Sequence, residues 1–249
     1  MATLMIIALV VGVLIGAVGI GGILLIPALN LIGGLSIQSA MATSLLTFVF
    51  TGIAGTIAFQ RHGSIDRGVT VPVCAGALLC GFAGAWANAR MGAFWLMLIL
   101  ALLVAFAGVY TLITRHSERQ PVLQQRPGMQ RAMLLGLGGV AGFGSGLTGV
   151  GGPALSVPMM MLAGFAPLTA IGTSQVIQIL AGVSGTLGNL RFGVIDYQLA
   201  APLVLFELIG VVVGVRIVHA INARLLRFWV GVLCVLVGVG LILKVFGVL

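Results

Sequence analysis

The chain has 249 residues, of which 60% are hydrophobic and only 6% charged, with a mean hydropathy of +1.26, whereas a soluble domain carries about 25% charged residues. That excludes a soluble globular protein, and apolar runs that continue for about twenty residues exclude the alternating strands of an outer-membrane barrel. The net charge of +8, from 12 cations and four carboxylates, sits at the ends of those runs, so it marks membrane sidedness and not nucleic-acid binding.

The pattern predicts an all-α polytopic membrane protein of about eight transmembrane helices. They run roughly over 3–32, 36–60, 69–88, 93–114, 131–163, 167–190, 198–218 and 225–246. The first opens MATLMIIALV without a basic leader region, so it is expected to be a span and not a cleaved signal. It is too long for one crossing and is interrupted by Gly16, Gly19, Gly21 and Gly22. Next come Thr43, Thr47 and Thr51, one stripe at helical spacing, with Ser44 beside them. Arg61 and Asp66 close that region, and Cys74 and Cys80 read as small buried hydrophobes, as does Cys234 further on.

A polar stretch, Arg115–Gln130, with two prolines separates the halves and cannot form a core. The organisation expected is a transmembrane repeat over 1–114, a cytoplasmic linker over 115–130 and a second repeat over 131–249. The fifth segment is again too long and glycine-broken, at Gly142, Gly144, Gly146, Gly149, Gly151 and Gly152, with Pro153 following. Thr173, Ser174 and Gln178 occupy the sixth. Glu207 is the only carboxylate well inside a predicted span, and the first half has none at the matching place. It is either a neutral acid bonded to a neighbouring helix or a proton carrier for coupling.

The halves are copies. Gly16–Asp66 and Gly146–Asp196 align without gaps at an offset of 130, with 16 identities in 51 positions. These include Thr43/Thr173, Ser44/Ser174, Arg61/Arg191 and Asp66/Asp196, which glycine abundance does not explain. Duplicated, glycine-broken membrane segments are the mark of transporters built from internal repeats. Four spans per half would make the repeats parallel, whereas a glycine motif that adds a re-entrant crossing would invert them; the sequence leaves both open.

A glycine break inside a membrane leaves amides unsatisfied unless it lines a cavity or meets a ligand. The helix that restarts after it offers free N–H groups and a positive dipole end to an anion. Gly19, Gly21, Gly22, Gly149, Gly151 and Gly152 are therefore expected to bind substrate, with Thr43, Ser44, Thr173 and Ser174 as hydroxyl donors. The competing reading is close helix packing through small residues, with hydroxyls bonded back to their own helix. Arg61 and Arg191 are expected at a cytoplasmic mouth, setting topology or attracting anions. Under eight crossings the linker side carries eight cations against four opposite, which places both termini in the cytoplasm.

At GIGGILLIP (Gly19–Pro27) and GVGGPALSVP (Gly149–Pro158), followed by ATS or GTS and then RHGSID or RFGVID, the chain resembles the sulfite exporter TauE/SafE family. The resemblance covers nearly the whole length. It implies eight spans in two halves and transport of sulfite, sulfoacetate or related organosulfonates across the bacterial cytoplasmic (inner) membrane, usually outward. Ile23 stands where a third glycine is common in the family, and Pro27 lies one residue closer to its glycines than Pro158 does. Two inequivalent half-sites follow from that departure.

No GxxxxGK[ST] loop, HExxH or intramembrane carboxylate couple is present, and the GxGxxG match at Gly144–Gly149 lacks a preceding strand. Neither enzyme activity nor a cofactor is expected. The expected partners are a small anion and the lipid bilayer, with no nucleic acid; a homo-oligomer is compatible with the sequence. An anion channel, a carrier of another solute and a non-transporting scaffold remain as alternatives.

Overall fold

A computed structural model describes residues 2–19, 21–113, 121–192, 195–220 and 223–247. Ten α-helices and a 3-10 turn are found among them. These are α1 (Ala2–Val18), the turn Gly21–Leu24, α2 (Leu25–Leu31), α3 (Ile37–Arg61), α4 (Arg67–Asn88) and α5 (Ala93–Ile113). The second half holds α6 (Pro127–Thr148), α7 (Pro153–Leu162), α8 (Pro167–Phe192), α9 (Tyr197–Ala220) and α10 (Ala223–Val245). Among the described residues, five helices are long and apolar enough to cross a membrane: Ile37–Arg61, Arg67–Asn88, Ala93–Tyr110, Leu168–Arg191 and Tyr197–Ile217. The expected first and fifth spans are each two helices, because left-handed glycines end α1 and α6.

Several of the remaining helix starts are also written locally. Ser36 caps α3 by accepting from the Ser39 N–H at 3.2 Å. Asp66 caps α4 from Gly68 N–H at 2.8 Å, and its copy Asp196 accepts from Leu199 N–H at 3.0 Å at the start of α9. The duplicated Asp is thus a helix cap. Of the polar linker, 115–120 lie outside the described residues. Residues 127–130 are already helix, since Pro127 takes the first-turn position of α6.

Helix directions follow from which residues meet. Gly52 faces Gln175 and Ile179 while Gly182 faces Leu45 and Val49, so α3 and α8 are antiparallel. Phe94 stacks edge-on with Phe246 and Gly238 abuts Ala105, so α5 and α10 are too. By contrast Gly12 lies on Glu207 and Gly16 on Val211 and Val215, which makes α1 and α9 parallel. Gly76 lies against Leu135 and Gly139, and Gly84 against Phe143 and Leu147, so α4 and α6 are parallel. Thr43 meets the start of α9 and Thr47 meets Glu207, whereas Thr70 meets Thr173 and Ser184 meets Leu78. Helices α1, α3 and α9 therefore point one way, and α4, α6 and α8 the other.

Because α1 and α3 point the same way, the turn and α2 must bring the chain back between them, and α7 does the same between α6 and α8. Lys244 Nζ donates to Asn30 Oδ1 at 3.4 Å, setting the end of α10 beside the end of α2. At the opposite end of the bundle Val122 N–H donates to Ala163 O at 2.9 Å and Tyr110 Oη to Pro158 O at 3.2 Å. The described part of the linker therefore lies opposite to the chain ends.

Contacts recur at the 130-residue offset with the partners exchanged. Gly12 on Glu207 answers to Gly142 on Ala77, and Gly16 on Val211 and Val215 to Gly146 on Gly81 and Ala85. Gly55 receives Gln175 as Gly185 receives Leu45. At most of these crossings a side chain would meet backbone, the close approach that membrane interiors use small residues to achieve. G142L should therefore cost about 3 kcal/mol or more by overpacking, against little for G136L, whose added Cβ meets nothing. Yield and thermal midpoint of the two purified variants check this; equal behaviour would refute it.

Candidate functional site

Both glycine motifs are genuine interruptions. Gly19 (φ 80°), Gly149 (φ 68°) and Gly151 (φ 81°) are left-handed, a conformation that costs an L-residue roughly 1–2 kcal/mol. Gly149 closes α6 by donating its N–H to Ser145 O at 2.8 Å. Helix α7 restarts at Pro153, and the amides of Ala154 and Leu155 in its first turn have no intrahelical acceptor.

The breaks meet each other. A Cβ on Gly22 would strike the Phe48 ring and Val150 O, one on Gly151 would touch the same ring, and one on Gly152 would strike Ile177 beside the Gln178 backbone. Phe48, fully buried, is thus wedged between the two interruptions. Its carbonyl accepts from Gln178 Nε2 at 3.1 Å, and the same amide donates to Thr51 Oγ1 at 2.8 Å. Phe48 and Gln178 are themselves 130 residues apart, so counterpart residues touch where the two halves cross. Gly21 opens the 3-10 turn Gly21–Leu24 that follows the first break.

The hydroxyls are distributed differently from the expectation. Ser44 Oγ donates to Ala40 O at 2.8 Å and Ser174 Oγ to Ile171 O at 2.7 Å, so both serines are satisfied within their own helices. Thr43 Oγ1 accepts from Asp196 N–H at 3.0 Å, and Thr173 Oγ1 lies 3.0 Å from Thr70 Oγ1. In antiparallel α3 and α8 the two threonines stand some 14 residues apart along the bundle, about 21 Å at 1.5 Å per residue. They cannot share one small ligand in this conformation. Gly19 lies beside Ile171 and Ser174, and Gly149 lies against Met41, so each break also passes the Thr-Ser region of the other half.

Arg61 and Arg191 are both exposed, at the far ends of α3 and α8. Antiparallel helices put those ends on opposite sides, which corrects the expectation of one shared mouth. Glu207 is fully buried, with Oε1 3.4 Å from the Thr47 hydroxyl and Oε2 without a partner. Gln175 is equally buried with both amide atoms unpartnered.

Sequence reasoning missed Phe48 and Gln175 and left Thr51 and Gln178 undecided. The signal for Phe48 was its position exactly one offset from the polar Gln178, in the middle of the duplicated helix. An aromatic in an apolar span carries no signal by itself.

Known proteins resemble the chain over most of its length. The family described as "Sulfite exporter TauE/SafE" matches residues 4–241. Relatives include the probable membrane transporter protein YdhB of Bacillus subtilis, 26% identical over 87% of this chain and 89% of that protein. YunE of the same organism, also a probable membrane transporter, is 26% identical over 95% and 97%. The probable membrane transporter YfcA of Escherichia coli K12 is 25% identical over 91% and 84%. No solved structure matches the chain. With its model spanning nearly every described helix, this chain belongs to the sulfite exporter TauE/SafE family.

Proposed function

We propose that the chain is a secondary transporter that moves a small sulfur-containing anion, such as sulfite or an organosulfonate, out of the cell. The substrate site lies where Gly19, Gly21, Gly22, Gly149, Gly151 and Gly152 converge, between repeats over 1–114 and 131–249. The observation that carries this reading is the meeting of two left-handed glycine breaks around Phe48 and Gln178. Amides at the start of α7 and the Gln178 side chain supply donors for an oxyanion, and neither requires a cation in the membrane. An anion leaving a negative interior is driven by the membrane potential.

The antiparallel α3–α8 pair supports inverted repeats, with each glycine motif a re-entrant helix pair and three crossings per half, α10 being counted as the sixth beside the five helices of membrane-crossing length. Exchanging the conformations of two inverted halves converts an inward-open site to an outward-open one. Among the described residues this topology puts seven cations on the linker side: Arg61, Arg67, Arg126, Arg131, Arg216, Arg224 and Arg227. Arg90, Arg191 and Lys244 lie opposite. The positive-inside rule then keeps the linker cytoplasmic and puts both termini outside, the reverse of the eight-crossing expectation. A carboxy-terminal alkaline phosphatase fusion should be active and a fluorescent-protein fusion dark; the opposite pair of results would return the termini to the cytoplasm.

Reconstituted vesicles test the activity. Saturable uptake of labelled sulfite that is accelerated by sulfite on the other side supports a carrier. Unsaturating current would indicate a channel, and no flux of sulfite or of organosulfonates would end the proposal.

A further inference from the structure

The two-fold relation singles out one residue that packing does not require. Gly12 of α1 lies on the backbone of Glu207, and Gly142 of α6 lies in the same way on Ala77, its counterpart. A methyl group fills that position in one half, so the helix crossing is made equally well without a polar atom. In the other half the position holds a carboxylate of zero exposure, one of whose oxygens has no partner.

Among the described residues, no countercharge is within reach on the helices that touch it. Helix α1 has no titratable residue, and on α3 the nearest are Arg61 and His62, fourteen or more residues beyond Thr47 and about 21 Å along the axis. On α9 itself Asp196, Arg216 and His219 are nine or more residues away, about 13 Å or further. A lone buried charge is costly in such a setting, whereas the neutral acid needs only its hydrogen bonds.

The position also lies beside the proposed site. Thr47, whose hydroxyl meets Glu207 Oε1 at 3.4 Å, is adjacent to Phe48 and one helical turn from Thr51, and both of those bond Gln178. The three threonines of the α3 stripe each reach the second half, Thr43 to Asp196, Thr47 to Glu207 and Thr51 to Gln178. They form a polar seam from one end of the bundle to its centre.

We infer that Glu207 is a proton-binding site whose proton travels with the transported anion, an inference that rests on the anion site proposed above. An ionised carboxylate about 10 Å from a bound anion repels it, which weakens binding on the order of tenfold at an effective dielectric constant of about 20. Anion and proton therefore favour each other's binding and move in the same direction. The proton enters from water onto a Glu207 oxygen when the α3–α9 seam opens on one side, crosses as the O–H of the neutral acid and returns to water on the other. A dianion such as sulfite accompanied by one proton still carries one negative charge outward and is still driven by the membrane potential, whereas a monoanionic sulfonate with one proton moves without net charge and leaves only down its own concentration gradient.

Two measurements on the full chain test this. In infrared spectra at neutral pH, wild type minus E207Q should show the carbonyl stretch of a protonated carboxylic acid, and T47V should shift it by removing its hydrogen bond. Absence of the band, or a band that T47V does not move, overturns the inference without reference to transport. In vesicles held at zero membrane potential, an imposed pH gradient should drive labelled sulfite at least tenfold less in E207Q than in wild type, with sulfite's own titration common to both. Equal responses overturn the inference. Absence of sulfite exchange in the wild type would instead count against the proposed site, while the infrared result still decides the proton.

Discussion

G151V should abolish most transport while a matched substitution, G34V, leaves it intact. Both glycines are left-handed, at φ 81° and 69°, so each substitution imposes backbone strain of roughly 1–2 kcal/mol, and more for a β-branched residue. They differ in surroundings: a Cβ at Gly34 meets nothing, whereas one at Gly151 meets the Phe48 ring. Overpacking there adds about 1–3 kcal/mol, and every 1.4 kcal/mol is a factor of ten in an equilibrium. The expected result is a sulfite exchange rate per folded molecule at least about tenfold lower in G151V than in G34V, with G151V also the less thermally stable of the two. Parallel losses in both would mean that strain alone was measured and that the break has no special place in transport.

F48A should convert gated exchange into a leak. In the described conformation the Phe48 ring lies where a Cβ on either Gly22 or Gly151 would go, between the two glycine breaks. Removing a buried phenylalanine costs about 3–5 kcal/mol where the void persists. Here the void would join the two breaks across the centre of the bundle. Vesicles containing F48A should lose anions without saturation and without stimulation from the far side, while F48L, which keeps most of the volume, should remain tight. Saturable exchange in F48A that matches the wild type would remove Phe48 from any gating role.

The sequence made the membrane class, the duplication and the glycine breaks legible, because each rests on local chemistry. Long apolar runs need lipid and left-handed turns need glycine, whereas the capping role of Asp66 and Asp196 emerged only from the structure. Donor roles were less legible. Thr43, Ser44, Thr173 and Ser174 looked like four equivalent hydroxyls, yet the serines bond their own helices and the threonines reach opposite ends of the bundle. Which of several hydrogen-bond partners a hydroxyl takes depends on what other helices bring near it, and no spacing rule contains that.

The sidedness of Arg61 and Arg191 shows the same division. Their identity and offset were plain in the chain, but whether two copies point the same way depends on whether the interrupted segments return to the face they entered. By itself, then, the sequence determined the lipid environment, the two-fold repetition and where the helices must break, since these follow from the energy of single residues in a bilayer. Only the tertiary structure decided that α3 opposes α8, that Phe48 and Gln178 meet, and that Glu207 is buried where its copy is alanine. Those outcomes come from glycine-lined backbone contacts between segments more than a hundred residues apart, whose fit exists only once all the helices are in place.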